Sequence, residues 1–230
     1  MTVERETALD NATSSLPADC SPSGRAGIIL TRLDAAYPDA RSALNFRNPY
    51  ELLVAAVLSA QCTDERVNEV TPGLFARYPT INDLAAGDPD ELATQIRSLG
   101  LYRNKARNLI ATAQLIVDRY GGEIPRDRDA LMSLPGVGRK VANVILSNAF
   151  GLPALAVDRH VFRVSHRLGL AAAATPDGTE AELTTLWPAD RWGKAHHLLV
   201  RHGREVCTAR SPRCDVCTLA DVCPARERSP

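Results

Sequence analysis

What the chain has little of narrows the field first. Aromatic residues fill 5% of its 230 positions, methionine and tryptophan occur twice each, and 27 Lys and Arg are matched by 27 Asp and Glu, leaving no net charge. That balance excludes attraction of polyanions through bulk charge, so any basic footprint has to be local. No basic flank followed by an apolar core opens the sequence, and Glu4, Glu6, Asp10 and Asp19 argue against a transit peptide. The expectation is a cytoplasmic protein. The most apolar stretch, LLVAAVLSA from Leu52 to Ala60, is far short of the ~20 residues that cross a bilayer. It reads as a buried core helix, and no membrane association is expected. Period-2 alternation is scarce too, which disfavours sheets.

What is there is helical grammar. The 45% of hydrophobic residues suffices for one sizeable core or two linked domains. Asn48 and Asp88 each precede a proline and an apolar-periodic run, the arrangement of an N-cap followed by proline at the first helical position; the second run is expected to continue to Gly100. Leu109, Ile110, Ala113, Ile116 and Val117 recur at helical spacing before Gly121. Helices are also predicted over 25–37, 63–78, 137–150, 158–168 and 192–202. The fold class is all-α. Residues 1–24 carry a net charge of three negative and are rich in Ser, Thr and Pro, as a flexible tail would be. Residues 191–213 carry a net five positive with three histidines, so one end of the protein is expected to be basic.

The stretch SLPGVGRKVANVIL, from Ser133 to Leu146, sets Lys140 where a helix begins, a place the helix dipole makes unfavourable for positive charge. A helix, the turn PGVG and a second helix make a helix-hairpin-helix, in which Gly136 and Gly138 permit backbone conformations a Cβ would hinder. Amides exposed in such a turn form a cradle for phosphate, although the turn alone is equally an ordinary interhelical connection. SLGLYRNKARNLI at 98–110 aligns without a gap on SLPGVGRKVANVI at 133–145, sharing Ser, Leu, Lys, Asn and Ile. The echo makes Lys105 a rival to Lys140. A purely structural reading puts Lys140, Asn143 and Ser147 on one solvated polar stripe.

Cysteine supplies the most specific pattern. Cys207, Cys214, Cys217 and Cys223 follow the spacing C-x6-C-x2-C-x5-C, a complete ligand set for one metal centre and, in a reduced compartment, a poor candidate for disulfides. Zinc commonly takes two separated C-x2-C knuckles, whereas one C-x2-C between longer arms suits wrapping a four-iron four-sulfur cube. Cys20 and Cys62 remain as thiols with no implied role.

At this point the sequence resembles the endonuclease III family of base-excision DNA glycosylases from about Arg25 to Cys223. The resemblance rests on LSAQCTD at 58–64, LPGVGRKVANVIL at 134–146, VDRHVFRV at 157–164 and the four-cysteine loop. It implies two helical lobes. One is a six-helix barrel over 42–152; the other is a cluster domain built from a helix at 25–41 and residues 153–230, with the 4Fe-4S loop at 207–223. It further implies a monomer that binds duplex DNA carrying oxidised pyrimidines or abasic sites across the cleft between the lobes. Lys140 is then the amine that attacks the sugar C1′ and remains attached as a Schiff base, for which a helix N-terminus, burial under DNA and neighbouring Arg139 would favour the neutral form.

Asp158, which equally reads as a helix N-cap, becomes the catalytic carboxylate, an anion placed to stabilise charge developing on the sugar. The family usually has threonine after this aspartate; here Arg159 follows. A base inside a duplex is out of reach, so the nucleotide is flipped and the gap filled, a task the resemblance gives to Gln61 and Leu101. Leu101 alone would read as a contact closing a helix end. Arg210 and Arg213, in the first cysteine arm, read as phosphate ligands or as a solvated loop. Two alternatives differ in kind: a monofunctional adenine glycosylase, whose members lack this lysine and carry a further C-terminal domain, and an iron-sulfur electron carrier, which would need neither LPGVGRK nor the aspartate.

Overall fold

The computed structural model describes residues 22–226; Cys20 and nearly all of the expected tail lie outside them. Residues 22–24, assigned to that tail by the sequence, form the start of helix α1 (Pro22–Ala36). Proline suits that position because the first helical N–H has no intrahelical partner. Among the described residues there are eleven α-helices, two short 3-10 helices and no strand.

Helix α2 (Pro49–Leu58) starts where Asn48 Oδ1 accepts the Glu51 N–H at 2.9 Å, and Tyr50 to Leu58 are all buried. Helices α3 (Asp64–Arg77), α4 (Ile81–Ala85) and α5 (Pro89–Gln95) are capped by Thr63, Thr80 and Asp88, each side chain satisfying amides that the first turn leaves open. Helix α5 stops at Gln95, short of the expected Gly100, and residues 96–101 form a turn into α6 (Tyr102–Tyr120). After α7 (Arg128–Met132) comes α8 (Arg139–Phe150), then α9 (Arg159–Arg167), α10 (Pro176–Leu186) and α11 (Trp192–Glu205).

Two apolar cores organise these helices. One gathers buried residues from Leu44 to Ala156, centred on α2, α6 and α8. The other joins α1 to α9, α10, α11 and the cysteine loop. The chain crosses between them in a helix-free segment whose side chains alternate: Ala154 and Ala156 pack in the first core, Leu155 and Val157 in the second. Long-range hydrogen bonds tie α1 into the second core. Trp187 Nε1 donates to the Ala26 carbonyl at 2.9 Å, and Arg32 pairs with Asp221 at 2.5 Å.

Candidate active site and cluster loop

The helix-hairpin-helix is α7, the turn at 133–138 and α8. Asp127 caps α7 through the Ala130 N–H at 2.8 Å. In the turn Gly136 has φ +79°, and a Cβ there would approach Asn108 Nδ2 of α6 to 3.1 Å. Glycine is needed on both counts. Thr112 of α6 also donates to the Pro135 carbonyl at 2.9 Å, seating the hairpin on that helix. Gly138 is different from its expected part: its φ of −89° suits any residue and a Cβ would meet nothing within 4 Å. Its missing side chain leaves the entrance of α8 open, and no side chain caps that helix. The amides at its start are free to meet a ligand.

Lys140 is exposed in the first turn of α8. The solvated stripe does not form, because Asn143 is fully buried and donates to both the Leu155 carbonyl and Glu180 Oε2 at 2.9 Å. Arg139, expected to burden the neighbouring amine with its charge, is instead committed to Glu180 of α10 at 2.8 and 3.2 Å. Glu180, itself buried, also lies 3.5 Å from Arg128. Sequence reading missed this glutamate and its helix, although Thr175, which caps α10 through the Gly178 N–H, and Pro176 repeat the N-cap and proline pattern seen at Asn48 and Asp88.

Asp158 caps α9, with Oδ1 accepting the N–H groups of His160 and Val161 at 2.8 Å each. Burial works against its charge, yet His196, the Val161 amide, His160 and Lys140 together hold its carboxyl below the usual carboxylate range. The ordinary cap and the candidate anion are thus one group. His196, buried beside it, donates from Nδ1 to the Ala156 carbonyl at 2.8 Å; burial pushes its pKa down, against the pull of Asp158. Two carbonyls just ahead of Asp158 are therefore held, one by α8 and one by α11.

Lys140 and Asp158 line two hollows that share a wall, of about 430 and 880 Å³. Ser59, Asp64 and Arg204 belong to both, and Arg204 of α11 pairs with Asp64 of α3 at 2.7 Å across the cleft. The larger hollow extends to Gln61, Cys62, Arg159 and His160. Arg159 is exposed and donates to His160 Nε2 at 3.3 Å.

Gln61 and Leu101, predicted together, have one structural oddity in common. Among the described residues they are the two non-glycine residues with positive φ, +57° and +59°. That backbone region is costly for a side-chain-bearing residue. Leu101 is 55% exposed, so it does not close a helix end as an apolar contact. The two turns are neighbours, since a Cβ on Gly100 would lie 3.8 Å from the Gln61 carbonyl.

Cys207, Cys214, Cys217 and Cys223 line one cavity of about 330 Å³ together with Arg210 and Arg213. All four are free thiols. Four thiols around one cavity are the donor set that a four-iron cluster uses. The sulfurs also have polar neighbours of the kind cluster thiolates use: Arg167 Nη1 lies 3.4 Å from Cys207 Sγ, and the Leu219 N–H donates to Cys217 Sγ at 3.4 Å. The basic end is less basic than its count, because Arg191, Lys194, Arg201 and Arg204 pair with Asp34, Asp39, Asp64 and Glu205. Arg210 and Arg213 are exposed and form no ion pair among the described residues.

Residues 54–189 match the model of the HhH-GPD superfamily base excision DNA repair proteins, and residues 207–223 match the iron-sulfur binding domain of endonuclease III. The chain is 48% identical over 206 residues to endonuclease III of Synechocystis sp., covering 89% of this chain and 94% of that one. Two solved structures superpose with a TM-score of 0.86 at 47% identity, covering 90% of this chain and 97% of theirs: a non-covalent endonuclease III–DNA complex and a trapped endonuclease III–DNA covalent intermediate. With a helical fold, a matching cluster loop and relatives aligned over nearly their whole length, the chain belongs to the endonuclease III family.

Proposed function

We propose that the chain is a bifunctional DNA glycosylase and abasic-site lyase that removes oxidised pyrimidines from duplex DNA as a monomer. The observation that carries this reading is the cleft itself: an exposed amine at an uncapped helix start and a carboxylate held ionised share its walls. The trapped covalent complex of a relative supports it.

In this reading the amides at the start of α8 bind a backbone phosphate of the lesion strand. Gln61 and Leu101 enter the stack as the damaged nucleotide swings into the cleft. The Lys140 nitrogen attacks C1′, the glycosidic bond breaks with its electron pair leaving on the base, and the nitrogen gives up a proton as the sugar ring opens to a Schiff base. Loss of a proton from C2′ then expels the 3′ phosphate and cuts the strand. Asp158 faces the positive charge that develops on the sugar. Cys207, Cys214, Cys217 and Cys223 would hold the 4Fe-4S cluster, which when bound cross-links a loop that has little apolar core of its own. Arg210 and Arg213 then present their charge to the DNA backbone beside it.

Borohydride reduction tests the assignment by freezing the Schiff base. Wild type should be trapped on a duplex carrying an oxidised pyrimidine, with the adduct mapping to Lys140. Trapping on an abasic site without release of any oxidised pyrimidine would defeat the substrate assignment.

A further inference from the structure

Two residues left without a part in this chemistry meet. Cys62, which follows Gln61, and Lys105, the rival lysine of the sequence echo, lie with Nζ 3.2 Å from Sγ. Lys105 is 4% exposed and takes part in none of the ion pairs among the described residues; the sulfur is what its amine points at. Cys62 is half-buried, and it lines the cleft that also holds Lys140 and Asp158. The thiol is thus reachable from solvent in front and faces a buried amine behind. The contact spans the two strained turns: Cys62 follows Gln61 directly, and the Lys105 N–H donates to the Leu101 carbonyl at 3.0 Å.

We infer that Cys62 and Lys105 form a peroxide-sensitive modification site in which the noncovalent contact becomes a covalent sulfenamide. Hydrogen peroxide transfers one oxygen to the sulfur, giving a sulfenic acid and water. The Lys105 nitrogen then attacks that sulfur with its lone pair, the S–O bond breaks, and the departing hydroxide combines with the proton shed by nitrogen to form a second water. Sulfur is oxidised, peroxide is reduced, and the protein ends two hydrogens lighter. A thiol reverses the bond by attacking sulfur and returning the free amine, and a second thiol then releases Cys62 from the resulting mixed disulfide. Bonding draws Cys62 inward from contact distance and pulls Gln61 back from the cleft. Duplex affinity should fall by roughly tenfold, as when one central contact is withheld. That consequence rests on the reading of Gln61 as a gap filler; the bond itself does not.

The experiment treats the cluster-loaded protein with limiting hydrogen peroxide while its visible absorbance reports the cluster. Intact mass and peptide mapping then follow, with a duplex-binding assay before and after added thiol. The expected product is about 2 Da lighter, joins the peptides containing Cys62 and Lys105, and reverts with thiol. Affinity should drop and recover with it, while Cys62→Ala, which removes the sulfur and leaves the buried amine, should keep its affinity through the same treatment. An unlinked sulfinic or sulfonic acid at Cys62, about 32 or 48 Da heavier, would overturn the site, and so would an unmodified thiol. Equal loss of affinity in Cys62→Ala would overturn the switch. A linked product with unchanged affinity would leave the bond standing and overturn the part given to Gln61.

Discussion

The segments at 98–110 and 133–145 share five residues and a turn-to-helix plan, yet fold their lysines into opposite situations. Lys105 is buried against a thiol, whereas Lys140 is exposed at the cleft. The difference lies in the turns. The second places Gly136 at positive φ and leaves Gly138 open at the helix start. The first puts leucine in the left-handed conformation and presents that side chain outward instead. One plan thus displays backbone amides and an amine; the other displays an apolar wedge. Identity of residue does not fix its chemistry, because the turn before the helix decides what faces the ligand.

Exchanging the lysines' chemistry is the strongest way to break this comparison. Lys140→Gln should abolish both the borohydride adduct and strand cleavage while keeping the fold and DNA binding; Lys105→Gln should still be trapped. An adduct that persists in Lys140→Gln would reverse the assignment. Asp158→Asn should slow base release by roughly 10²- to 10³-fold, measured in single turnovers. Its effect on stability has a definite sign. Because the folded carboxyl sits below its ordinary value, the ionised group contributes stability that is full above about pH 5 and lost as pH falls through that lowered value. Wild type should lose its margin over Asp158→Asn on acidification, as denaturant midpoints would show.

Smaller changes sharpen the contrast between the turns. Glu180→Ala leaves Arg139 and Asn143 short of a buried partner and should destabilise by about 3 kcal/mol, read from urea unfolding. Gly136→Ala should cost about 1–2 kcal/mol for its strained φ and the Asn108 approach, whereas Gly100→Ala should change stability little. Leu101→Gly removes the left-handed penalty, so stability should hold or rise by up to about 1 kcal/mol while affinity for lesion duplexes falls. The mildest change is Arg210→Ala with Arg213→Ala. It should flatten the salt dependence of duplex binding by about one unit per lost phosphate contact, without altering the preference among lesions.

Local chemistry made much of this legible. Asn48 and Asp88 cap as their prolines implied, and the cysteine spacing announced a shared centre because its ligands lie close along the chain. Features that depend on distant partners were silent. Glu180 looks like any polar residue of a surface helix until Arg139 and Asn143 approach from α8. Cys62 and Lys105 are 43 residues apart and meet only where the start of α6 lies against the turn between α2 and α3. The end of α5 was misread for a related reason: the sequence shows a helical pattern up to Gly100, but the chain breaks at Gln95 to present Leu101.

The second core, which joins α1 to residues near the C-terminus, also sets an order of assembly. The residues of the first core lie within one stretch of chain, from Leu44 to Ala156, and can bury one another as they emerge. Helix α1 is made before its partners, and α9 to α11 follow more than a hundred residues later, a delay of roughly 6–25 s at usual rates of synthesis. During that interval Ile29 and Leu33, fully buried in the finished protein, have no lobe to enter. The nascent chain therefore carries an adhesive helix until the rest of the second core can close around it.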